Sequence, residues 1–354
     1  MDQLYSLAHK FDPRSLTVAR EFRGLQKKDL ATTLNVTPSA ISQLEAGRVK
    51  ITPKMLANLS LALNFPPSFF GQPVEGEMGS DRYHFRSLRS SSQQERRCMV
   101  SASILIERLV EWISQRVELP PEKIDGSGPE SVKSTEIEDI AAKVRLDWNL
   151  GLGPIPDLIK LLESRGILPF RVLSTCRRVD AFSVWRNGRP LVFLSTEKGL
   201  GSRSRFDAAH ELGHLVMHAD CVPGDPDQEA EANRFASAFL MPRESFQVEF
   251  PHRLVWPHLF ELKERWRVSL AAIVRRAFDL KKISRATYTR ANVYLRTRFP
   301  HGEPHEPAIE HPSVVPAALE LLKENGWPFE KVAGELCLRE ADLKRLVYAD
   351  SAED

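Results

Sequence analysis

The residues best suited to chemistry form one short run, His210-Glu211-Leu212-Gly213-His214. Two histidines four positions apart share one face of a helix, so both imidazoles can bind a single zinc ion. Glu211 follows the first ligand, and its carboxylate can reach a water molecule that the metal holds. Because zinc lowers the pKa of such a water toward ~7, this carboxylate can act as a general base in the attack on a peptide carbonyl. The motif predicts a zinc-dependent peptidase centre on a largely buried helix.

A third protein ligand is expected for a catalytic zinc ion. His218 lies eight residues after His210, ~12 Å along a straight helix, which is too far for the same ion; we expect it beside the ligands or at the surface. The next helix offers two carboxylates. Glu231 shares a helical face with apolar Phe235, whereas Glu229 lies about 160° away around the helix and should face outward. Glu231 is therefore the predicted ligand, with Glu229 as the alternative.

A second functional pattern lies near the N-terminus, where residues 25–47 predict two short helices joined by a turn at Asn35. Thr37 can cap the second helix, with Pro38 at its first position. Outward polar residues of that helix can contact base edges in a major groove, and basic residues near the helix ends can contact phosphates. The predicted DNA contacts are Lys27, Thr37, Pro38, Ser39, Ser42, Gln43 and Arg48. A small helical bundle used for protein contact is the alternative.

The elements around these motifs predict a mostly α protein with a small β-sheet, of the α+β class. Asn187-Gly188 between two apolar runs predicts a hairpin. The predicted strands cover 167–172, 181–185 and 191–194, and the predicted helices cover 98–119, 136–147, 156–164, 203–218, 226–240, 268–280 and parts of 314–347. Helix 98–119 is amphipathic, which fits core packing or a dimer seam. Prolines make 300–312 irregular.

Four regions follow from this order of elements. We expect an all-α helix-turn-helix domain at 11–71, a linker with an amphipathic helix at 72–135, a metallopeptidase domain at 136–300 and a C-terminal helical region at 301–354. The polar stretch at 125–134 separates the amphipathic helix from the metallopeptidase domain. The last region has a loose helix-turn-helix rhythm without a basic face, which favours a role in packing or dimerisation.

Composition narrows the class of protein. The 354 residues are 42% hydrophobic and 27% charged, as in ordinary globular proteins. The net charge of +2 is too small for a nucleic-acid polycation, so any DNA binding must come from a local basic face. No apolar run reaches membrane-spanning length and the N-terminus lacks a signal pattern, which predicts a cytoplasmic protein without membrane contact. The four cysteines form no CxxC pair, as expected of free thiols in a reducing compartment.

Beyond its metal-binding pattern, the run RFDAAHELGHLVMH followed by EAEANRFASAFLMP resembles the ImmA/IrrE family of zinc metallopeptidases. The hairpin FSVWRNGRPLVFLS and the segments around it extend the resemblance over roughly residues 136–310. The resemblance implies a gluzincin-like domain with zinc on His210 and His214, Glu211 as general base and a glutamate of the EAN block, here Glu231. The pair Asp207-Ala208 departs from the Thr-Leu of many relatives, beside the site, without removing a ligand.

Residues 15–71 resemble the XRE/Cro-type phage-repressor fold, including the Glu45-x-Gly47 turn, but depart from it at Gln26-Lys27, where relatives usually have Ser-Gln. Together the two resemblances imply a homodimeric regulator that binds operator DNA. Its peptidase would cleave one helix-turn-helix repressor or antitoxin, or itself, in a stress or phage response. The alternative is a ligand- or metal-sensing transcription factor whose peptidase-like domain does not cleave.

Overall fold

The structure of the protein is a computed structural model that describes residues 2–74, 84–85, 92–124, 136–172, 181–195, 200–218 and 225–348. The stretch predicted as a linker at 125–134 lies outside these ranges, as do two of the four cysteines, Cys176 and Cys221. The other two, Cys98 and Cys337, are free and buried.

Five helices and a short 3₁₀ helix form the N-terminal unit, and capping residues set where they begin. Asp12, Thr37 and Thr52 each accept a hydrogen bond from the first turn of a helix that starts with proline. Asn35 closes α3 in the left-handed conformation, with φ 53°, which confirms the predicted turn. The elements are α1 (Asp2–His9), α2 (Pro13–Phe22), α3 (Lys27–Leu34), α4 (Pro38–Glu45), α5 (Pro53–Leu63) and the 3₁₀ helix (Pro67–Gly71).

A four-stranded mixed sheet occupies the middle of the molecule, in the order β1-β3-β4-β2. β3 and β4 form the predicted hairpin, with Asn187 and Gly188 both at positive φ, as a two-residue turn of this kind requires. β2 runs parallel to β4, whereas β1 lies antiparallel to β3 within the region predicted as a linker. The strands are β1 (His84–Phe85), β2 (Leu168–Val172), β3 (Ala181–Arg186) and β4 (Arg189–Ser195).

The sheet separates two hydrophobic cores. Phe170, Phe182 and Phe193 are paired across three neighbouring strands and stack on one face, with ring centroids 5.8 Å and 4.4 Å apart. That face packs into the same core as the N-terminal helices. Ala181 and Val192 face the opposite way, into the core of the helices that carry the histidine motif. One sheet therefore forms a wall of both cores.

The helix α6 (Gln93–Ser114) begins five residues before the predicted 98–119, because Ser92 and Glu95 form a capping box there. Its apolar face is buried in the core of the N-terminal unit, so it packs within the chain. The later helices are α7 (Glu136–Asp147), α8 (Leu158–Ser164), α9 (Gly201–Met217), α10 (Pro226–Leu240), α11 (Arg243–Glu249), α12 (Trp256–Trp266), α13 (Leu270–Asp279) and α14 (Arg285–Arg298). Of these, α11, α12 and α14 were not predicted.

Carboxylates of the irregular segment after α14 anchor it to neighbouring helices. Glu303 accepts from the first backbone N–H groups of α13, and Glu310 from those of α8. Lys263, fully buried, binds both Glu303 and Glu306. Three further helices pack against the N-terminal unit and the sheet: α15 (Val314–Glu324), α16 (Phe329–Glu335) and α17 (Glu340–Val347).

Candidate functional site

The histidine motif lies on α9, whose burial matches the sequence prediction. His210 and Glu211 are fully buried and His214 is 1% exposed. The two histidines occupy successive turns, and their Nε2 atoms are 3.1 Å apart. Two imidazole nitrogens therefore point at one small volume between α9 and α10.

The third group at this volume is Glu229, not Glu231. The carboxylate oxygens of Glu229 lie 3.5 Å from His210 Nε2 and 3.4 Å from His214 Nε2. The ligand atoms of these three residues all lie within 4.8 Å of one another. Glu231 instead accepts a hydrogen bond from His218, at 2.9 Å. The structure thus favours Glu229, which the sequence analysis kept as the alternative to Glu231.

Close packing of the two helices explains why Glu229 lies beside the histidines. Gly213 lies between the histidines and faces α10, where a Cβ atom on it would come within 3.3 Å of Ala232 Cα. The missing side chain lets α10 approach α9 at Ala232. Glu229 lies three residues before Ala232, about one helical turn, so it continues the stripe of α10 that meets α9. The helical-wheel prediction took its inward direction from Phe235 alone, whereas Ala232 of the same helix also packs against Gly213.

The donor set fits a zinc ion. Two ligands held about 2.0–2.2 Å from a tetrahedral zinc lie about 3.3–3.6 Å from each other. The separations among His210 Nε2, His214 Nε2 and the Glu229 carboxylate, 3.1 to 3.5 Å, are close to that requirement. Two imidazoles with one carboxylate also leave a fourth position for substrate or water, as in catalytic zinc sites.

The electrostatics of these side chains suit a metal. Burial lowers the pKa of His214 to about 3, against the opposing effect of its hydrogen bond with Glu229. Burial raises the pKa of Glu229, but hydrogen bonds with His210 and His214 outweigh it and bring the pKa down to about 2. At neutral pH His214 is therefore neutral and Glu229 is ionised. These are the protonation states in which imidazole and carboxylate bind a metal.

Glu211 is held from the sheet. The hydroxyl of Ser183 on β3 donates a hydrogen bond to Glu211 Oε2 at 2.7 Å, and both side chains are buried. This bond fixes the rotation of the carboxylate beside the two histidines. The sequence analysis did not single out Ser183, although it lies in the hairpin that carries the family resemblance.

His218 lies just beyond the end of α9 and is 3% exposed. Its Nδ1 is 3.0 Å from Nδ1 of His214, and its Nε2 is 2.9 Å from Glu231. It is outside the group of ligand atoms, as the helix geometry predicted, and lies directly behind one of them.

The predicted DNA contacts lie on and around α4. Ser39, Gln43 and Arg48 are exposed, Ser42 is half-buried, and Thr37 and Pro38 form the exposed start of the helix, where Thr37 accepts from the backbone N–H of Ala40. Lys27 is only 41% exposed, with its ammonium 3.1 Å from Glu45. Its charge is therefore partly compensated within the protein, which weakens the case for Lys27 as a phosphate contact.

Comparison with known families agrees with both motifs. Residues 164–278 match the family model described as the IrrE N-terminal-like domain, and residues 19–70 match that of a helix-turn-helix domain. The chain joins a helix-turn-helix DNA-binding domain to an IrrE/ImmA-like, metallopeptidase-like domain. No curated protein matches the chain. Among the helices in the described ranges, none has the length and apolar character that a membrane crossing requires.

Proposed function

We propose that the protein is a DNA-binding regulator whose second domain is a zinc-dependent endopeptidase of narrow specificity. Its substrate would be one dedicated protein, a helix-turn-helix repressor or antitoxin, or a second copy of this chain. The observation that carries the proposal is the convergence of His210, His214 and Glu229, with Glu211 next to the first histidine and held by the sheet.

Each side chain has a chemical task in this proposal. His210, His214 and Glu229 would hold the metal. When bound, zinc supplies a Lewis acid that polarises the peptide carbonyl and acidifies water. Glu211 accepts the proton of the attacking water and can return it to the leaving amine. Ser183 keeps the carboxylate in position, and burial of the site strengthens each of these electrostatic interactions.

Replacing Glu211 with glutamine tests the proposal most directly, because this change removes the base and keeps the three ligands. Wild type and Glu211→Gln should hold the same amount of zinc by elemental analysis. Cells that express each variant are then compared for newly formed protein N-termini, and one substrate should be cut in wild type alone. Purified protein incubated with zinc shows by intact mass whether the chain cuts itself. Zinc-replete wild type that produces no Glu211-dependent cut would overturn the peptidase assignment.

The DNA half of the proposal places α4 in a major groove. Gln43→Ala and Ser39→Ala should each weaken binding to the operator by about 1–3 kcal/mol and relax specificity at one base pair. Arg48→Gln should instead weaken binding to all sequences. It should also reduce the slope of log affinity against log salt concentration by about one, the effect of one lost phosphate contact. Operators selected from a random DNA pool provide the probe. Unchanged affinity for Gln43→Ala and Ser39→Ala would exclude α4 as the reading helix.

The enclosure of the site favours a second candidate, a metal-sensing transcription factor. His210 and Glu211 are fully buried, which suits retention of a metal at least as well as turnover of a peptide. In that case zinc would change operator affinity, whereas Glu211→Gln would change neither cleavage nor DNA binding.

A further inference from the structure

A line of hydrogen bonds leads away from the candidate metal ligands, on the side of His214 opposite the ligand cluster. His214 Nδ1 lies 3.0 Å from His218 Nδ1, and His218 Nε2 lies 2.9 Å from Glu231 Oε2. His214 and His218 are buried, and Glu231 is 23% exposed at the outer end. Three side chains from two helices thus connect a ligand to the edge of the domain.

When Nε2 of His214 binds a metal and both rings are neutral, this line has one consistent arrangement of protons. The Nε2 atom of His214 faces His210 and Glu229, and it can bind a metal only through its lone pair. The proton of neutral His214 must then be on Nδ1, which donates to His218 Nδ1. His218, as the acceptor there, must carry its own proton on Nε2, and it donates that proton to Glu231. An ionised carboxylate only accepts, so it ends the line.

We propose that His218 and Glu231 are positioning residues, which hold His214 in the ring orientation and the tautomer that a metal requires. The inference rests on the metal site proposed above and adds two residues to it. Carboxylates behind a metal-bound histidine fix the ring and raise its basicity, and removing such a partner typically costs 10–100-fold in metal affinity. Here His218 lies between the carboxylate of Glu231 and the candidate ligand His214.

The same geometry gives α10 two separate tasks. Glu229 and Glu231 are two residues apart, and both are about one quarter exposed. Glu229 contacts the two ligand nitrogens directly, whereas Glu231 contacts only His218. Loss of Glu229 would remove a ligand. Loss of Glu231 would leave all three ligands and remove the anchor of one of them.

The first experiment needs no mutation. Metal-free wild type with ¹⁵N-labelled histidine is examined by long-range ¹H–¹⁵N NMR, which shows which nitrogen of each ring carries the proton. We expect His214 protonated on Nδ1 and His218 protonated on Nε2. A His214 ring protonated on Nε2, or a mixture of tautomers at both rings, would overturn the proposal.

The second experiment compares variants of the acceptor. In Glu231→Ala, His218 should lose its single tautomer, and the affinity for Zn²⁺, measured by competition with a chelator, should fall 10–100-fold. Glu231→Gln keeps an oxygen acceptor and should restore the tautomer, with an affinity between wild type and Glu231→Ala. Asp227→Ala removes an exposed carboxylate from the first turn of the same helix and serves as the control, with no effect expected.

These measurements distinguish failure of the proposed hydrogen-bonded line from failure of the metal site itself. Glu229→Ala should lower Zn²⁺ affinity while His218 keeps its tautomer, because the line through Glu231 is intact. If wild type binds no Zn²⁺, the proposed function fails. The tautomers of the metal-free protein still show whether His218 and Glu231 position His214. If wild type binds Zn²⁺ no better than Glu231→Ala with unchanged circular dichroism, the positioning role of His218 and Glu231 is wrong and the metal site stands.

Discussion

At the scale of single residues, the hydrogen bond from Ser183 to Glu211 is the contact most open to test. Ser183→Ala removes the donor that fixes the carboxylate, so the base should spend less time in a productive orientation. We expect kcat for the substrate identified through Glu211→Gln to fall about 10-fold, because misplacement of a catalytic group costs rate without removing the group. Zinc content should not change, because the substitution keeps all three candidate ligands.

Ser103→Ala provides the control for this change. It removes a buried hydroxyl from α6, where the hydroxyl donates to the carbonyl of Val100, remote from the site in the chain. Its kcat should equal that of wild type. Equal rates in Ser183→Ala and Ser103→Ala would show that Glu211 is held by other contacts.

The geometry of the candidate site could be predicted from sequence where the signal was local, and not where it depended on packing between distant segments. The spacing of His210 and His214 places both on one helical face whatever surrounds the helix. The choice of Glu229 depends on how closely two helices pack, and Ser183 comes from a strand 28 residues before Glu211. Neither contact has a local pattern, so only the folded arrangement reveals them.

At the scale of secondary-structure elements, the packing of α9 on α10 determines whether Glu229 reaches the histidines. Gly213→Val would place a branched side chain where even a Cβ atom lies 3.0 Å from Phe235 and 3.3 Å from Ala232. The helices must then separate, which carries Glu229 away from His210 and His214. We expect Zn²⁺ affinity to fall at least about 10-fold, since one ligand of three is displaced.

Gly334→Ala is the matched control, because Gly334 lies in helix α16 with open space around it. There alanine should raise stability by up to ~1 kcal/mol through helix propensity alone. Retention of wild-type Zn²⁺ affinity in Gly213→Val would show that α10 adapts to a larger residue, and that the close approach is not needed for the site.

Elements with strong local signals were the ones predicted correctly. The Asn187-Gly188 turn defined the hairpin, and α7 and α10 were placed at their observed bounds. The start of α6 was missed because its capping box lies in a polar stretch that resembles a linker. The helix α14 has only Ala291 and Leu295 buried, which leaves little apolar periodicity to detect.

At the scale of the whole molecule, the central sheet joins the DNA-binding half to the site. Ser183 contacts Glu211 on one face of β3, while its neighbours Phe182 and Val184 pack on the other face into the core of the N-terminal helices. The helices α15, α16 and α17 complete that same core, so residues 314–347 pack with the N-terminal unit. A displacement of β3 would therefore alter both the contact with Glu211 and the packing of the N-terminal core.

A bidentate ion pair joins the C-terminal helices to the N-terminal unit. It forms between Arg23 at the end of α2 and Asp342 on α17, with both N···O distances 2.6 Å. Asp342 is 5% exposed, and Arg23 also donates to the carbonyls of Leu63 and Asn64. Asp342→Ala leaves this guanidinium without its carboxylate in a largely buried position. We expect the free energy of unfolding to fall by about 2–4 kcal/mol.

Denaturant unfolding followed by tryptophan fluorescence measures this loss, because Trp112 of α6 and Trp327, which precedes α16, meet edge to face in the same region, with ring centroids 5.3 Å apart. Asp147→Ala is the control. It breaks the exposed pair with Lys143 on α7 and should change stability by less than about 1 kcal/mol. If the C-terminal helices were an independent appendage, Asp342→Ala would release them in a separate early transition and leave the rest at its wild-type midpoint. A single transition at lower denaturant would instead establish that the N-terminal unit, α6 and the C-terminal helices unfold together.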